Sequence, residues 1–339
     1  VAVVERDGAA ALQLEHQPHV LAHRGDRAAP VLLGVVLLWL VVTVVFLALH
    51  AVPGDPAAIL LGSEGSGAVT PEALAQVRSQ LGLDKPILVQ YSDYLAGLAR
   101  LDFGTSFRSS DIEVLSYIGD RLPKTLELVL MAALIAVVVG IPTGALAARI
   151  GGLADTVISS LTTLGVSMPV YVIGTVFVLV FSLQMGWFPA GGYIAIEANP
   201  SAHFMRLVLP AIALSFGITS VVARMTRSAV LETVAQDWVR TARSQGLPRA
   251  VVFRRHVIRN SLNPVVTTLG LEIGSLLGST VLIERVFTWP GMGSLLVDSV
   301  NARDYPVVQG IVIVIAALFI LINLIVDILY GVLDPRARR

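Results

Sequence analysis

Six long apolar stretches are the feature that most restricts how this chain can fold. A helix needs about 20 apolar residues to cross the hydrocarbon core of a bilayer. The stretches that qualify are 30–51, 126–148, 156–185, 207–231, 261–283 and 306–330. Strands of a membrane barrel would instead alternate in hydropathy over about ten residues, which these stretches do not. The sequence therefore predicts an all-α, polytopic membrane protein with six transmembrane helices, the third of them kinked at Pro169.

The composition agrees with a membrane protein and excludes several other classes. Only 14% of the 339 residues are charged and 55% are hydrophobic, whereas a soluble domain carries about 25% charged residues. The formal net charge is zero, which argues against nucleic acid as a partner. The chain has no cysteine, so a cysteine-ligated metal, an iron–sulfur cluster and thiol catalysis are excluded.

Arginines in one loop orient the spans. The loop 232–260, between the fourth and fifth spans, contains six arginines and only two acids, Glu232 and Asp237. Short loops rich in arginine stay in the cytoplasm. With six spans, this loop and both chain termini are then predicted to be cytoplasmic, and the segment 52–124 is predicted to lie outside.

The polar segment 1–29 is predicted to be a disordered cytoplasmic tail. Three of its residues, His16, His19 and His23, have a spacing that would suit a metal site on a helix. Pro18 breaks such a helix, so we predict no metal site here. Because this segment precedes the first span, we expect that span to be an uncleaved helix rather than a signal peptide.

The segment 52–124 is too long for a simple connection and must carry structure of its own. Residues 70–72, Thr-Pro-Glu, form the N-terminal signature of a helix, which is predicted to stop at Gly82. A second short helix is predicted over 87–98. We therefore expect a small external helical cap between the first two spans, with a flexible glycine- and serine-rich stretch at 62–67.

The sequence lacks the motifs of common enzyme classes. Its two lysines, Lys85 and Lys124, do not follow a glycine, so no nucleotide-binding loop of the Walker type exists. No His-Glu-x-x-His pair and no Gly-x-Ser-x-Gly turn occur. Glu272 is the one ionisable residue deep in a span, and Asp327 lies near the end of the last one. One acid is not a catalytic set, so we predict no catalytic residue, no metal and no cofactor in this chain.

The loop 232–260 is predicted to be ordered. Residues 231–245 indicate a single helix, with acids early and arginines late, as its dipole favours. Gly246 then takes the left-handed position that ends a helix, and Leu247 is expected to fold back over the last turn.

Two further features favour a docking surface over a merely solvated, positive-inside connection. Trp238 and Val239 are predicted to face outward from this polar helix, with no core to enter. The stretch 249–259 mixes apolar side chains with arginines, which is typical of an interfacial elbow that leads into the fifth span. We therefore predict that the loop binds a cytoplasmic partner.

At this loop the sequence resembles a known family. Residues 237–264, DWVRTARSQGLPRAVVFRRHVIRNSLNP, resemble the "EAA" motif of the membrane subunits of binding-protein-dependent ABC importers, and above all the B-type permease of dipeptide and oligopeptide importers. Other passages that agree are PGDP at 53–56, LGLDKP at 81–86, DFGTS at 102–106, GWFP at 186–189, ERVFTWPGMG at 284–293, RDYPVVQG at 303–310 and LDPR at 333–336. The chain departs from the family in its longer, more polar N-terminal tail. It also has Thr-Ala-Arg at 241–243 where the name of the motif suggests Glu-Ala-Ala.

The resemblance implies a type I ABC importer with a MetI-like permease fold, in which 125–339 is the core permease domain. This chain would pair with a second permease subunit as a heterodimer, and the pair would form the translocation channel for di- and oligopeptides in the bacterial cytoplasmic membrane. Two cytoplasmic ABC ATPase subunits would bind ATP and Mg, and an extracytoplasmic substrate-binding protein would deliver substrate. One alternative is the same importer class with another small solute, such as a nickel chelate. The other is a secondary transporter, which should show broken helices in two symmetric halves.

The resemblance also implies a coupling helix that sits in a groove of the ATPase. Its predicted residues are Asp237, Val239, Thr241, Ala242, Arg243, Gly246 and Leu247. Ala242 is small enough for a close approach to that groove, and Gly246 lets the chain turn out of it.

The fifth span carries two sets of candidate residues. Small residues that recur every four positions let helices approach closely in lipid, and those in this span are Gly270, Gly274 and Gly278. The predicted lining of the translocation path is Glu272, Ser275 and Ser279. We expect Glu272 to face the protein interior, because an acid that faces lipid at mid-span costs about 2.5–3.5 kcal/mol.

Overall fold

The computed structural model describes residues 28–51, 57–58, 61, 70–80, 82–109 and 111–333. These residues are almost entirely helical, which confirms the predicted all-α class. The helices are α1 (Ala28–Ala51), α2 (Pro71–Gln80), α3 (Ile87–Ala99), α4 (Val114–Ile150), α5 (Gly152–Ser167), α6 (Val170–Gln184), α7 (Pro200–Val234), α8 (Asp237–Ser244), α9 (Arg249–Val286), α10 (Met292–Asn301) and α11 (Tyr305–Leu333). The histidines of the predicted tail and the stretch 62–67 lie outside the described residues.

Five of these helices are each long and apolar enough to cross a membrane. They are α1, α4, α7, α9 and α11. The third predicted span, 156–185, is divided between α5 and α6, whose axes differ by 104°, so a sixth crossing exists if this bent pair is counted as one span. The predicted kink at Pro169 is therefore a full break. Met168 is extended, with ψ of 130°, because a proline has no N–H and disfavours the helical conformation in the residue before it.

Two of the crossing helices begin earlier than their predicted spans. Helix α4 begins at Val114, about three turns before the predicted start at residue 126. Helix α9 begins at Arg249, and so the predicted elbow 249–259 and the fifth span form one continuous helix. A π-helical stretch, Val252–Val257, lies within the elbow part of this helix.

The two short helices predicted for the cap are present as α2 and α3. Gly82 lies between them with φ of +66°, the left-handed conformation expected of a glycine that follows a helix. Helix α3 packs on α1 through Tyr91 and Phe46, whose ring centroids are 5.2 Å apart. The hydroxyl oxygens of Tyr91 and Thr43 are 2.6 Å apart. The predicted cap is thus attached to the C-terminal half of the first crossing helix.

Helix α7 lies at the centre of the fold. It packs against α4, α5, α6 and α9. Its Leu214 is buried in one apolar cluster together with Leu128 of α4 and Leu276 of α9. Helix α11 packs between α9 and α1 at the side of this core.

A buried carboxylate joins three helices at one end of the core. Thr125 of α4 donates a hydrogen bond of 2.6 Å to Glu284 of α9, and the Ser294 N–H of α10 donates one of 2.9 Å to the other carboxylate oxygen. The Met292 N–H in turn donates to the Thr125 hydroxyl over 2.8 Å. The Trp289 indole N–H donates to the Lys124 carbonyl over 3.0 Å. The motif at 284–293 is therefore a structural clamp.

We predict that Glu284→Ala lowers the midpoint of thermal unfolding in detergent by several degrees. The change leaves the Thr125 hydroxyl and the Ser294 N–H buried without an acceptor, and each unsatisfied group costs about 1–3 kcal/mol. The matched control is Asp298→Ala, which removes an ion pair with Arg285 that is 55% exposed on both sides and worth at most about 1 kcal/mol. Equal shifts for the two variants would contradict the clamp.

Candidate functional site

The loop 232–260 turns back on itself instead of continuing α7. The predicted single helix over 231–245 is two helices, because α7 ends at Val234 and α8 begins at Asp237. Gln236, with ψ of 143°, is extended between them. A straight helix would have carried Val239 about 13 Å along the axis from Val230. The break instead brings these two side chains together.

Four buried valines, here called the loop cluster, hold α8 in place. They are Val230, Val239, Val252 and Val257. The prediction that Val239 faces outward is wrong, because its side chain is 0% exposed. Ala242 is half-buried and packs against the same cluster. Val239 and Ala242 therefore attach α8 to the ends of α7 and α9.

The rest of the surface of α8 is open to solvent. Trp238 is 40% exposed, as predicted. Leu247 is also 40% exposed. The other exposed residues of the predicted coupling set are Asp237, Thr241, Arg243 and Gly246. Together with Trp238, these residues form a surface that has one aromatic side chain and charges of both signs.

The backbone turn after α8 depends on Gly246. Its φ is +82°, in the left-handed region predicted for the end of a helix. A Cβ placed on this glycine would meet no atom within 4 Å. The need for glycine is therefore one of backbone conformation rather than of space.

The predicted path residues Glu272, Ser275 and Ser279 all line one cleft of about 270 Å³. The facing wall belongs to the break between α5 and α6, with Gly165 and Met168 among its residues. Helix α7 closes the third side of the cleft, where the lining includes Gly217, Ile218 and Val221. The sequence analysis singled out Pro169 and Glu272 but did not predict that Glu272 lies opposite the break at Pro169.

The three glycines of α9 do not share one role. A Cβ at Gly270 would collide with Val326 of α11, and one at Gly274 would come within 3.0 Å of Phe319 of the same helix. A Cβ at Gly278 would meet nothing within 4 Å. Two of the glycines thus allow α9 and α11 of this chain to approach closely.

One ion pair near the loop was missed by sequence reasoning. The Arg227 guanidinium of α7 donates two hydrogen bonds to the Asp155 carboxylate of α5. The pair fastens one half of the broken third span to the central helix. The available signal was Asp155 itself, an acid directly before the uncharged stretch 156–185.

The comparisons with known proteins agree with this architecture. Residues 140–339 match the family model described as "Binding-protein-dependent transport system inner membrane component", and residues 29–129 match the model of the N-terminal part of such components. The chain belongs to this family. It is therefore a multi-pass protein of the inner membrane, and the family predicted from its motifs is confirmed.

Relatives within this transport family cover nearly the whole chain. The dipeptide transport system permease protein DppB of Escherichia coli (strain K12) is 39% identical over 333 residues, which cover 91% of this chain and 95% of that protein. A putative peptide transport system permease protein of Brucella abortus (strain 2308) is 41% identical over 320 residues, covering 94% and 98%. Among solved structures, the MetNI methionine ABC transporter in an inward-facing state matches with a TM-score of 0.53 and 18% identity. The match covers 64% of this chain and 96% of the solved chain, and it supports the predicted MetI-like fold.

We predict that Val239→Ala releases α8 from the rest of this transport component. The change removes two buried methyl groups and leaves a cavity, at a cost of about 2 kcal/mol. Hydrogen exchange of the backbone amides of 237–244 should become faster by roughly tenfold or more. Arg240→Ala is the control, because its side chain is 84% exposed and its loss should leave the exchange unchanged. Faster exchange in the control alone would show that the loop cluster does not hold this helix.

Proposed function

We propose that this chain is one of the two permease subunits of an ABC importer and that it lines a translocation channel for di- and oligopeptides. Support for the importer class comes from its family. Support for peptides comes from relatives that are named as dipeptide and peptide permeases. The observation that carries the proposal is a pair of separate features. Helix α9 lines a cleft at mid-span, and the exposed, ordered helix α8 lies just before the start of α9.

The exposed face of α8 is the proposed docking surface for a cytoplasmic ABC ATPase. Asp237, Thr241, Arg243 and Leu247 are free to contact a partner, whereas Val239 and Ala242 are engaged with the loop cluster. In this proposal the buried residues do not touch the ATPase. They transmit its movement, because a displacement of α8 must shift Val230 on α7 and Val252 on α9. ATP and Mg would be bound by the two ATPase subunits, and this chain would be non-catalytic.

The proposed path for substrate runs past Glu272, Ser275 and Ser279. These residues lie in the second half of α9, with Glu272 about 16 Å along the helix axis from Ser261. The facing break at Met168 is suited to movement, since no continuous helix there resists a change of angle between α5 and α6. A second permease subunit would complete the channel, and a substrate-binding protein outside the membrane would deliver the peptide.

We predict that the importer holds the loop 232–260 in the cytoplasm and the cap outside. Because the chain has no cysteine, Ser244→Cys and Ser92→Cys each introduce a single exposed thiol. An impermeant thiol reagent applied to intact spheroplasts should modify the Ser92 variant alone, and both variants should react after permeabilisation. Labelling of the Ser244 variant in intact cells would overturn the orientation and the docking proposal with it.

We predict that Thr241→Trp abolishes co-purification of the ATPase subunits and uptake of a labelled dipeptide. Thr241 lies on the exposed face of α8, so a bulky side chain there leaves the fold intact and obstructs a partner. The control is Ala198→Trp, an equally exposed position between α6 and α7 on the other side of the membrane. Both variants should reach the membrane in equal amounts. Retention of the ATPase by Thr241→Trp would exclude this face as the docking surface.

A further inference from the structure

The polar wall of the cleft on α9 consists of the Glu272 carboxylate and two serine hydroxyls whose protons point to the helix backbone. The Ser275 hydroxyl donates its proton to the Glu272 carbonyl over 2.8 Å. The Ser279 hydroxyl donates to the Ser275 carbonyl over 3.4 Å. Both hydroxyl oxygens therefore keep their lone pairs for another group. The Glu272 carboxylate, which accepts and cannot donate when ionised, stands beside them.

The charge of Glu272 is not balanced within the described part of the chain. Its carboxylate has no hydrogen-bond or ion-pair partner there, and it is half-buried. Among the described residues that line the cleft, none is Lys, Arg or His. An unpaired acid at mid-membrane is costly, and the apolar lining from Ile173, Leu214 and Leu276 strengthens its field. Within the described part of this chain, no cationic side chain balances the site.

The facing wall includes a carbonyl group that lacks its usual donor. In a continuous helix the Gly165 carbonyl would accept a hydrogen bond from the N–H of residue 169. That residue is Pro169, which has no N–H. Gly165 also lines the cleft, and so the break that opens the cleft also removes the usual donor of one of its carbonyl groups.

We propose that this cleft binds the primary ammonium group of the passing substrate, with Glu272 as the counter-charge and the Ser275 and Ser279 hydroxyls as neutral acceptors. The inference rests on the proposed import function and names the part of the peptide that the site reads. An ammonium group has three donors and no acceptor, which matches a wall with one carboxylate and two hydroxyl oxygens. A carboxylate would meet the like charge of Glu272, so the carboxyl end of a peptide is disfavoured at this site.

The same chemistry is found at a peptide amino terminus and at the end of a lysine side chain. The test therefore uses three probes. Ala-Ala has a free amino terminus, N-acetyl-Ala-Ala methylamide has no ammonium group, and N-acetyl-Lys-Ala has the ammonium on a side chain alone.

The experiment uses the assembled importer in proteoliposomes, with Val221→Cys as the reporter. Val221 lies on α7 in the wall of the cleft and outside the acceptor set. We measure how fast this thiol reacts with a cationic and an anionic methanethiosulfonate, by the mass of this chain, in the presence and absence of each probe. The cationic reagent should be favoured, and Glu272→Gln should reduce that preference at least about fivefold, since a charge that lines the same cleft is lost.

Protection by the probes identifies the ligand. Ala-Ala should slow the labelling, N-acetyl-Ala-Ala methylamide should not, and Glu272→Gln should remove the protection. Glu272→Asp is the matched control, since it keeps the charge and should keep both the preference and the protection. Protection by N-acetyl-Lys-Ala as well as by Ala-Ala supports a site for any ammonium group. Protection by Ala-Ala alone assigns the site to the amino terminus.

Two results would overturn the proposal. One is equal protection by the acetylated and the free dipeptide, and the other is a charge preference that is unchanged in Glu272→Gln. Uptake of labelled Ala-Ala by the unmodified importer with its binding protein is measured separately. If uptake occurs while either of those results is found, the ammonium site is wrong and the import function stands. An importer that takes up no peptide would instead refute the proposed function itself.

Discussion

The packing of α7 against its neighbours is the interaction on which the other parts of this protein depend. Helix α7 contacts α4, α5, α6 and α9, and Leu214 lies in the apolar cluster that they share. Its one end supplies Val230 to the loop cluster, and its middle supplies one side of the cleft. A movement of α8 can therefore reach the cleft through a single continuous helix, without passing through a flexible connection.

The break at Pro169 links the fold to the chemistry of the cleft. A continuous third span would have satisfied its own backbone groups. The extended Met168 instead turns the chain by 104° and opens a space beside Glu272. The ion pair of Arg227 with Asp155 then holds α5 against the central helix. The irregular backbone thus lines a cavity. This is expected, because lipid has no water to satisfy free backbone N–H and C=O groups.

The position of α8 changes which residues of the loop matter for a partner. A motif alone treats Val239 and Ala242 as contact residues, together with Thr241 and Arg243. In the structure the first two are committed to the loop cluster and the last two are exposed. Val239 therefore determines how firmly α8 is held, whereas Thr241 belongs to the surface that we propose for a partner. A substitution at Val239 would weaken the attachment of α8, whereas a bulky substitution at Thr241 would obstruct the proposed docking surface.

The sequence by itself determined the class of fold, the family, the two cap helices and the glycine turn at Gly246. These depend on hydropathy over about 20 residues and on local backbone preferences, which neighbouring residues decide. The tertiary structure alone decided that Val239 is buried, that Pro169 breaks the third span fully, and that Glu272 faces that break. The residues that neighbour Val239 in the sequence are compatible with either an exposed or a buried valine side chain. The difference comes from contacts between residues distant in the chain, such as Val239 with Val257, that no pattern of neighbours encodes.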